Sequence, residues 1–176
     1  AMAVQEPYEL QVSKGQIAGA TPLYKFGFNP DIDGTEETIW TQGGNVPWPT
    51  TAFTAYIVSD NAADNGTSTT GAQTVQVEGL DADYNIKSVS VTLNGTTEVA
   101  ISGTWIRINR AFVTLSGTGG TAAGTIHIQS SGGGVIYANL GAGNQTQMAA
   151  YTVPAGYTLY LDDVNFTAAL GIQSKN

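Results

Sequence analysis

Cysteine is absent from the 176 residues, so neither a disulfide framework nor a cysteine-based zinc site holds this chain together. Its stability has to come from burial, strand pairing or assembly. Histidine occurs once, at His127, which argues against zinc catalysis, since such sites usually draw on two or more His or Cys ligands. Charge is scarce as well. Only 11% of residues are charged, and 6 basic residues stand against 14 acidic ones, for a net charge of −8. Lys14, Lys25, Lys87, Arg107, Arg110 and Lys175 are scattered along the chain, without the clustering that displaces counterions from a phosphate backbone, so nucleic acid is not an expected partner. No apolar run approaches the roughly 20 residues that span a bilayer, and no membrane partner is expected.

What fills the chain instead is Gly, Thr, Ala, Ser and Asn between apolar residues. This mixture favours short strands and tight turns over helices, because Thr and Val suit a pleated surface while Gly, Asn and Asp supply turns. The expected fold is all-β: an antiparallel β-sandwich, jelly-roll-like, preceded by an extended N-terminal arm. Residues 1–50 form the arm or irregular lead-in. They hold five of the six prolines, two of the three tryptophans and no sustained alternation. Tyr8, Tyr24, Phe26, Phe28, Trp40 and Trp48 are too many aromatics for a free tail. A candidate contact arm is therefore Tyr24, Phe26, Phe28, Trp40 and Trp48, buried by the main domain or by a neighbouring subunit.

Residues 51–176 read as the sandwich, with short apolar alternations between turn clusters. Strands are expected over 54–59, 73–78, 86–93, 96–101, 105–109 with 111–115, 124–129, 135–140, 147–153 and 158–166, nine or ten in all, which fits two sheets. The clearest local signal is Ser88 to Ile101. Val89, Val91 and Leu93 share one face, and Asn94-Gly95 is the dipeptide that a two-residue type I′ turn demands, so a β-hairpin is expected there. Between Ala111 and Leu161 no residue carries a full charge, His127 aside. Charge is the usual defence of a strand edge, so these edges are expected to be buried in an oligomer or covered by the arm.

Residues able to carry chemistry are few. His127 lies between Ile126 and Ile128, on the less apolar face of its strand, and no Gly-x-Ser-x-Gly elbow accompanies it. The carboxylate pairs Asp31 with Asp33, Glu36 with Glu37 and Asp81 with Asp83 fall in turn-like sequence, where Asp holds the backbone; Asp162 with Asp163 is the exception. No catalytic residue, cofactor or required metal is assigned. A structural calcium is a weak candidate at Asn29 to Glu37 or Asp60 to Gly66, neither of which matches an EF-hand loop. Tyr137, Tyr151, Tyr157, Tyr160 and Trp105 would stack on sugars if they shared an exposed sheet face. Burial in the core is the favoured reading, with Tyr157 and Tyr160 kept as a candidate glycan platform.

Three stretches, taken in order, resemble a family of tailed-bacteriophage virion structural proteins. The first is Lys25-Phe26-Gly27-Phe28-Asn29-Pro30-Asp31-Ile32-Asp33, with Glu37-Thr38-Ile39-Trp40 and Gly43-Gly44 after it. The second runs from Val77-Glu78-Gly79-Leu80-Asp81-Ala82-Asp83-Tyr84-Asn85 through Val91 to Thr97, on to Ile106-Arg107-Ile108-Asn109-Arg110-Ala111. The third is Asn144 to Gly156. The resemblance covers about Tyr24 to the end. It implies a non-enzymatic component of the virion, such as a capsid decoration (cement) or head-fibre protein. The expected partners are copies of itself, as a trimer, and other virion proteins such as the major capsid protein. The alternative is a receptor- or carbohydrate-binding module of a tail or fibre. Members of this family commonly continue with more strands, so a C-terminally shortened member or fragment is expected, its last strand lacking a partner.

Overall fold

The computed structural model describes residues 6–67, 70–141 and 143–168. Among the described residues one short helix, α1 (Tyr8–Ser13), is followed by seven strands: β1 (Phe53–Ser59), β2 (Ala72–Leu80), β3 (Ile86–Thr92), β4 (Val99–Trp105), β5 (Arg107–Ser116), β6 (Ile126–Gln129) and β7 (Ile136–Leu140). They form two antiparallel sheets, one in the order β4-β1-β6-β7 and the other in the order β3-β2-β5. The chain is thus all-β, as its composition implies.

Period-two alternation sets which residues meet between the sheets. In β1, Ala55, Ile57 and Ser59 point inward, and in β2, Val75 and Val77 do the same. The apolar ones join Val91, Ile101, Trp105, Ala111, Ile126, Ile128, Ala138 and Leu140 in one core drawn from both sheets. A smaller apolar cluster of Trp40, Val46 and Met148 lies beside it.

The Asn94-Gly95 hairpin is not formed. Strand β3 pairs with β2, with Val77 opposite Val89, whereas β4 pairs with β1, with Tyr56 opposite Ala100. A type I′ turn needs positive φ at both central residues, and here Gly95 alone has it, at 58°. The 93–98 segment instead crosses from one sheet to the other. The loop after β1 holds it there: Gly95 N–H donates to the Asp64 carbonyl (2.8 Å), and Ser59 N–H donates to the Gly95 carbonyl (3.0 Å). Long-range pairing and core burial have overridden a local turn signal.

Two further expected strands are also corrected. Residues 147–153 form no strand, because their partners change along the segment: Thr146 N–H bonds to the Ala111 carbonyl on β5, while Ala149 N–H bonds to the Ile39 carbonyl in the lead-in. Single bridges, Trp40 with Met148 and Leu140 with Thr146, replace a ladder. Residues 158–166 form no strand either and are exposed. The uncharged edge of β5 is covered from within the chain. Residues 144–152 follow the outer side of β5, and Thr41 and Gln42 of the lead-in bond to the Asn139 side chain on β7.

Candidate functional site

A groove of about 550 Å³ opens on the outer face of the β3-β2-β5 sheet. Its floor is Glu78 to Leu80 of β2, Ile86 to Ser88 of β3, and Asn109 and Arg110 of β5. Residues Pro22 to Phe26 of the lead-in make one wall, and Tyr151 and Pro154 belong to the other. The lead-in is held in place by contacts that local sequence does not announce. Phe28 N–H donates to the Gln147 carbonyl (3.3 Å), and Gly27 packs so tightly against the Ile39 carbonyl and Ala149 N–H that a Cβ there would collide with both.

Lys25 is a half-buried charge of this groove. Its ammonium donates to the Asn109 carbonyl (2.6 Å), and burial lowers its pKa from 10.5 to about 8, aided by the positive charge of Arg110 and opposed by Glu78. Arg110 lies 4.0 Å from the Glu78 carboxylate and 4.4 Å from the centre of the Phe112 ring. Of the three cations that line the groove, Lys87 is turned to the Thr104 carbonyl and the Trp105 ring, which leaves Lys25 and Arg110 with one carboxylate, so the groove is locally positive in a chain of net charge −8. Such a surface, rimmed by Tyr24, Phe26 and Tyr151, suits an anionic ligand with apolar parts.

The proposed contact arm is divided among different surroundings. Tyr24 (79% exposed) and Phe26 stand on the groove wall, and the Tyr24 hydroxyl lies 3.2 Å from that of Ser13. Phe28 is exposed. Trp40 (2% exposed) is core, its indole N–H bonding to the Gly43 and Gly44 carbonyls. Trp48 is half-exposed beneath the guanidinium of Arg107, which lies 5.3 Å from the ring centre.

The aromatic residues expected in the core also separate. Trp105 is fully buried, Tyr137 stacks on Phe53 with centroids 3.8 Å apart, and Tyr151 lines the groove. Tyr157 and Tyr160 are the correction: both are exposed, and they sit on the 157–166 segment rather than on a sheet face. Sequence reading missed the cluster of Lys25, Glu78 and Arg110. Lys25 and Asn109 are 84 residues apart, and no local pattern links them.

The other polar candidates serve the backbone. Asp33 accepts from Thr35 N–H and hydroxyl, and Asp81 from the N–H groups of Asp83 and Asn85. Asp64, fully buried, accepts from the Ser59 hydroxyl (2.6 Å) and from the N–H groups of Ala72 (2.7 Å), Ala123 (2.8 Å) and Gly124 (3.0 Å). Its oxygens are thus committed to tying the loop after β1 to the 117–125 loop. Glu98 accepts from Gly132 N–H, Gly133 N–H and the Gln129 side chain, which hold its carboxyl below the usual range. His127 has its pKa lowered by burial, with Asp60 opposing, and its Nδ1 is buried without a partner. Among the described residues no three His, Asp or Glu side chains gather as a metal site would require, and no helix is long and apolar enough to cross a membrane. No family model, curated protein or solved structure matches this chain.

Proposed function

We propose that the chain is a non-enzymatic structural protein of a tailed-bacteriophage particle, a capsid decoration or head-fibre component that works as an assembled subunit. The observation that carries the assembly part is the segment after Gly156. It presents Tyr157, Leu159, Tyr160, Leu161, Val164 and Phe166 to solvent, a run of large apolar side chains that a protein acting alone would bury. The exposed Tyr24, Phe26 and Phe28 of the lead-in add to it. The ordered resemblance from Lys25 to Gly156 supplies the phage part. The proposed assembly is a trimer bound to other virion proteins such as the major capsid protein.

The strand order favours the jelly-roll form of the sandwich. That fold's strands, lettered B to I, make sheets B-I-D-G and C-H-E-F. Strands β1 to β6 follow the order D to I, and β7 stands beside β6 as B stands beside I. Residues 144–152 run along β5 as C runs along H.

Cryo-electron microscopy of the intact phage encoding this sequence tests the reading. Density for the β-sandwich repeated over the capsid lattice is the expected result; its absence from the particle overturns the proposal. The groove favours one second reading, a module for acidic glycans, because Lys25 and Arg110 lie beside the aromatic side chains of Tyr24 and Tyr151. Binding to acidic oligosaccharides on a glycan array, lost on Tyr24→Ala or Tyr151→Ala, would support it.

A further inference from the structure

Two features of the molecule are each incomplete and are complementary to one another. The first is the segment 157–166, Tyr-Thr-Leu-Tyr-Leu-Asp-Asp-Val-Asn-Phe. Its last ties to the body are a bond from Ala155 N–H to the Tyr84 carbonyl (2.8 Å) and a turn from Tyr157 N–H to Pro154 (3.2 Å). Beyond that turn, among the described residues, its one hydrogen bond is internal, from Asn165 to Asp163. Tyr160 (87%), Leu161 (76%) and Phe166 (72%) are more exposed than any folded core tolerates, and the adjacent carboxylates Asp162 and Asp163 divide the apolar run in two. Aromatic and β-branched residues give the segment the make-up of a strand without a sheet to join.

The second is the groove, positive where the rest of the chain is acidic, with an apolar wall of Leu23, Tyr24 and Phe26. Lys25 and Arg110 share only Glu78, so a second carboxylate would relieve the cation that Glu78 leaves uncompensated. Ten residues in extended form reach about 33 Å, long enough to cross the sheet face from one side to the other.

We propose that the groove receives residues 157–166 of a second copy of this chain, Asp162 and Asp163 meeting Lys25 and Arg110 while the flanking Tyr160, Leu161, Val164 and Phe166 cover the wall of Leu23, Tyr24 and Phe26. The proposal rests on the assembly reading above and names its contact. In its own molecule the segment leaves from the groove's rim, at Pro154, and stands away uncovered; a second copy supplies each groove with one segment and each segment with one groove. Such a contact joins two different surfaces of one chain. It is therefore head-to-tail, and it closes into a ring where the rotation between neighbours permits, a trimer being one such ring.

Sedimentation velocity of the full chain and two charge-reversal variants tests this. The tail variant carries Asp162→Lys with Asp163→Lys, which lie on a segment without bonds to the body, so folding is untouched. The groove variant carries Lys25→Glu with Arg110→Glu, its fold checked by circular dichroism. The unchanged chain is expected to associate, and each variant alone to associate about tenfold or more weakly. An equal mixture of the two is expected to regain association in part, because every mixed contact joins a tail to a groove of opposite sign while a three-membered ring keeps one unmatched contact. If the unchanged chain associates and the tail variant does so equally well, the groove proposal is overturned while the assembly reading stands. A chain that stays monomeric at every concentration overturns both. Binding of oligogalacturonate that the groove variant loses, with association the same in all three proteins, assigns the groove to acidic glycans instead.

Discussion

Asp64 shows how a single side chain substitutes for a missing covalent staple. A buried carboxylate costs free energy unless its oxygens are filled, and here one hydroxyl and three backbone N–H groups from 59–72 and 123–124 fill them. Removing the acceptor leaves those donors unpaired, with the Ser59 hydroxyl and Ala72 N–H in the buried interior. Asp64→Ala is expected to destabilise the fold by about 3 kcal/mol, read from urea unfolding midpoints at unchanged slope. Asp64→Asn is also expected to destabilise it, since its amide nitrogen would face N–H groups. Lys25 makes a pH-dependent contribution of the opposite kind. Its folded pKa of about 8 lies below the ordinary 10.5, so the folded state binds the proton less well than the unfolded state does. Stability therefore rises with pH between about 8 and 10.5, and the full cost of burying the charge is present below 8. In Lys25→Met, thermal melts across this window are expected to lose that rise.

Among the elements, the lead-in has almost no regular structure, yet it is fixed to the sandwich. Trp40 anchors it in the small cluster with Val46 and Met148, and Gly27 lets it approach the 147–149 stretch closely enough for backbone hydrogen bonds. A side chain at 27 would collide with the backbone at Ile39 and Ala149, which no rotamer change relieves. Gly27→Ala is expected to lift the lead-in from the sheet while leaving the seven strands intact. Faster proteolysis within 22–39, with an unchanged far-ultraviolet β signature, is the observation that checks it. The crossing between β3 and β4 depends in the same way on distant partners. Asn94-Gly95 has the chemistry of a hairpin turn, but Val89 and Val91 find β2, and Val99 and Ala100 find β1. Each pairing closes a face of the common core, which an isolated two-stranded hairpin cannot do.

For the whole molecule, stability and association reside in different parts. The strands end at Leu140, and the stretch to Tyr157 is tied to the body, whereas 158–168 adds exposed apolar surface and no bond to the body among the described residues. A chain stopped after Tyr157 is therefore expected to melt within about 1 °C of the full chain, as a change that touches no contact should. It is also expected to sediment as a monomer at concentrations where the full chain associates. A large fall in melting temperature would mean that the segment folds back on its own molecule.

Composition and periodicity were enough to determine that the chain is all-β and where most strands lie, because alternation in segments such as Phe53–Ser59 and Ala72–Leu80 is a local property that burial on one face imposes. The turn duties of Asp33 and Asp81 were legible for the same reason. Only the tertiary structure decided which strands pair, that Asn94-Gly95 is a crossing, that 144–152 rather than a further strand closes β5, and that Lys25 meets Arg110. Those outcomes depend on contacts between residues far apart in sequence, chosen by how the whole core closes, and no local pattern contains that information.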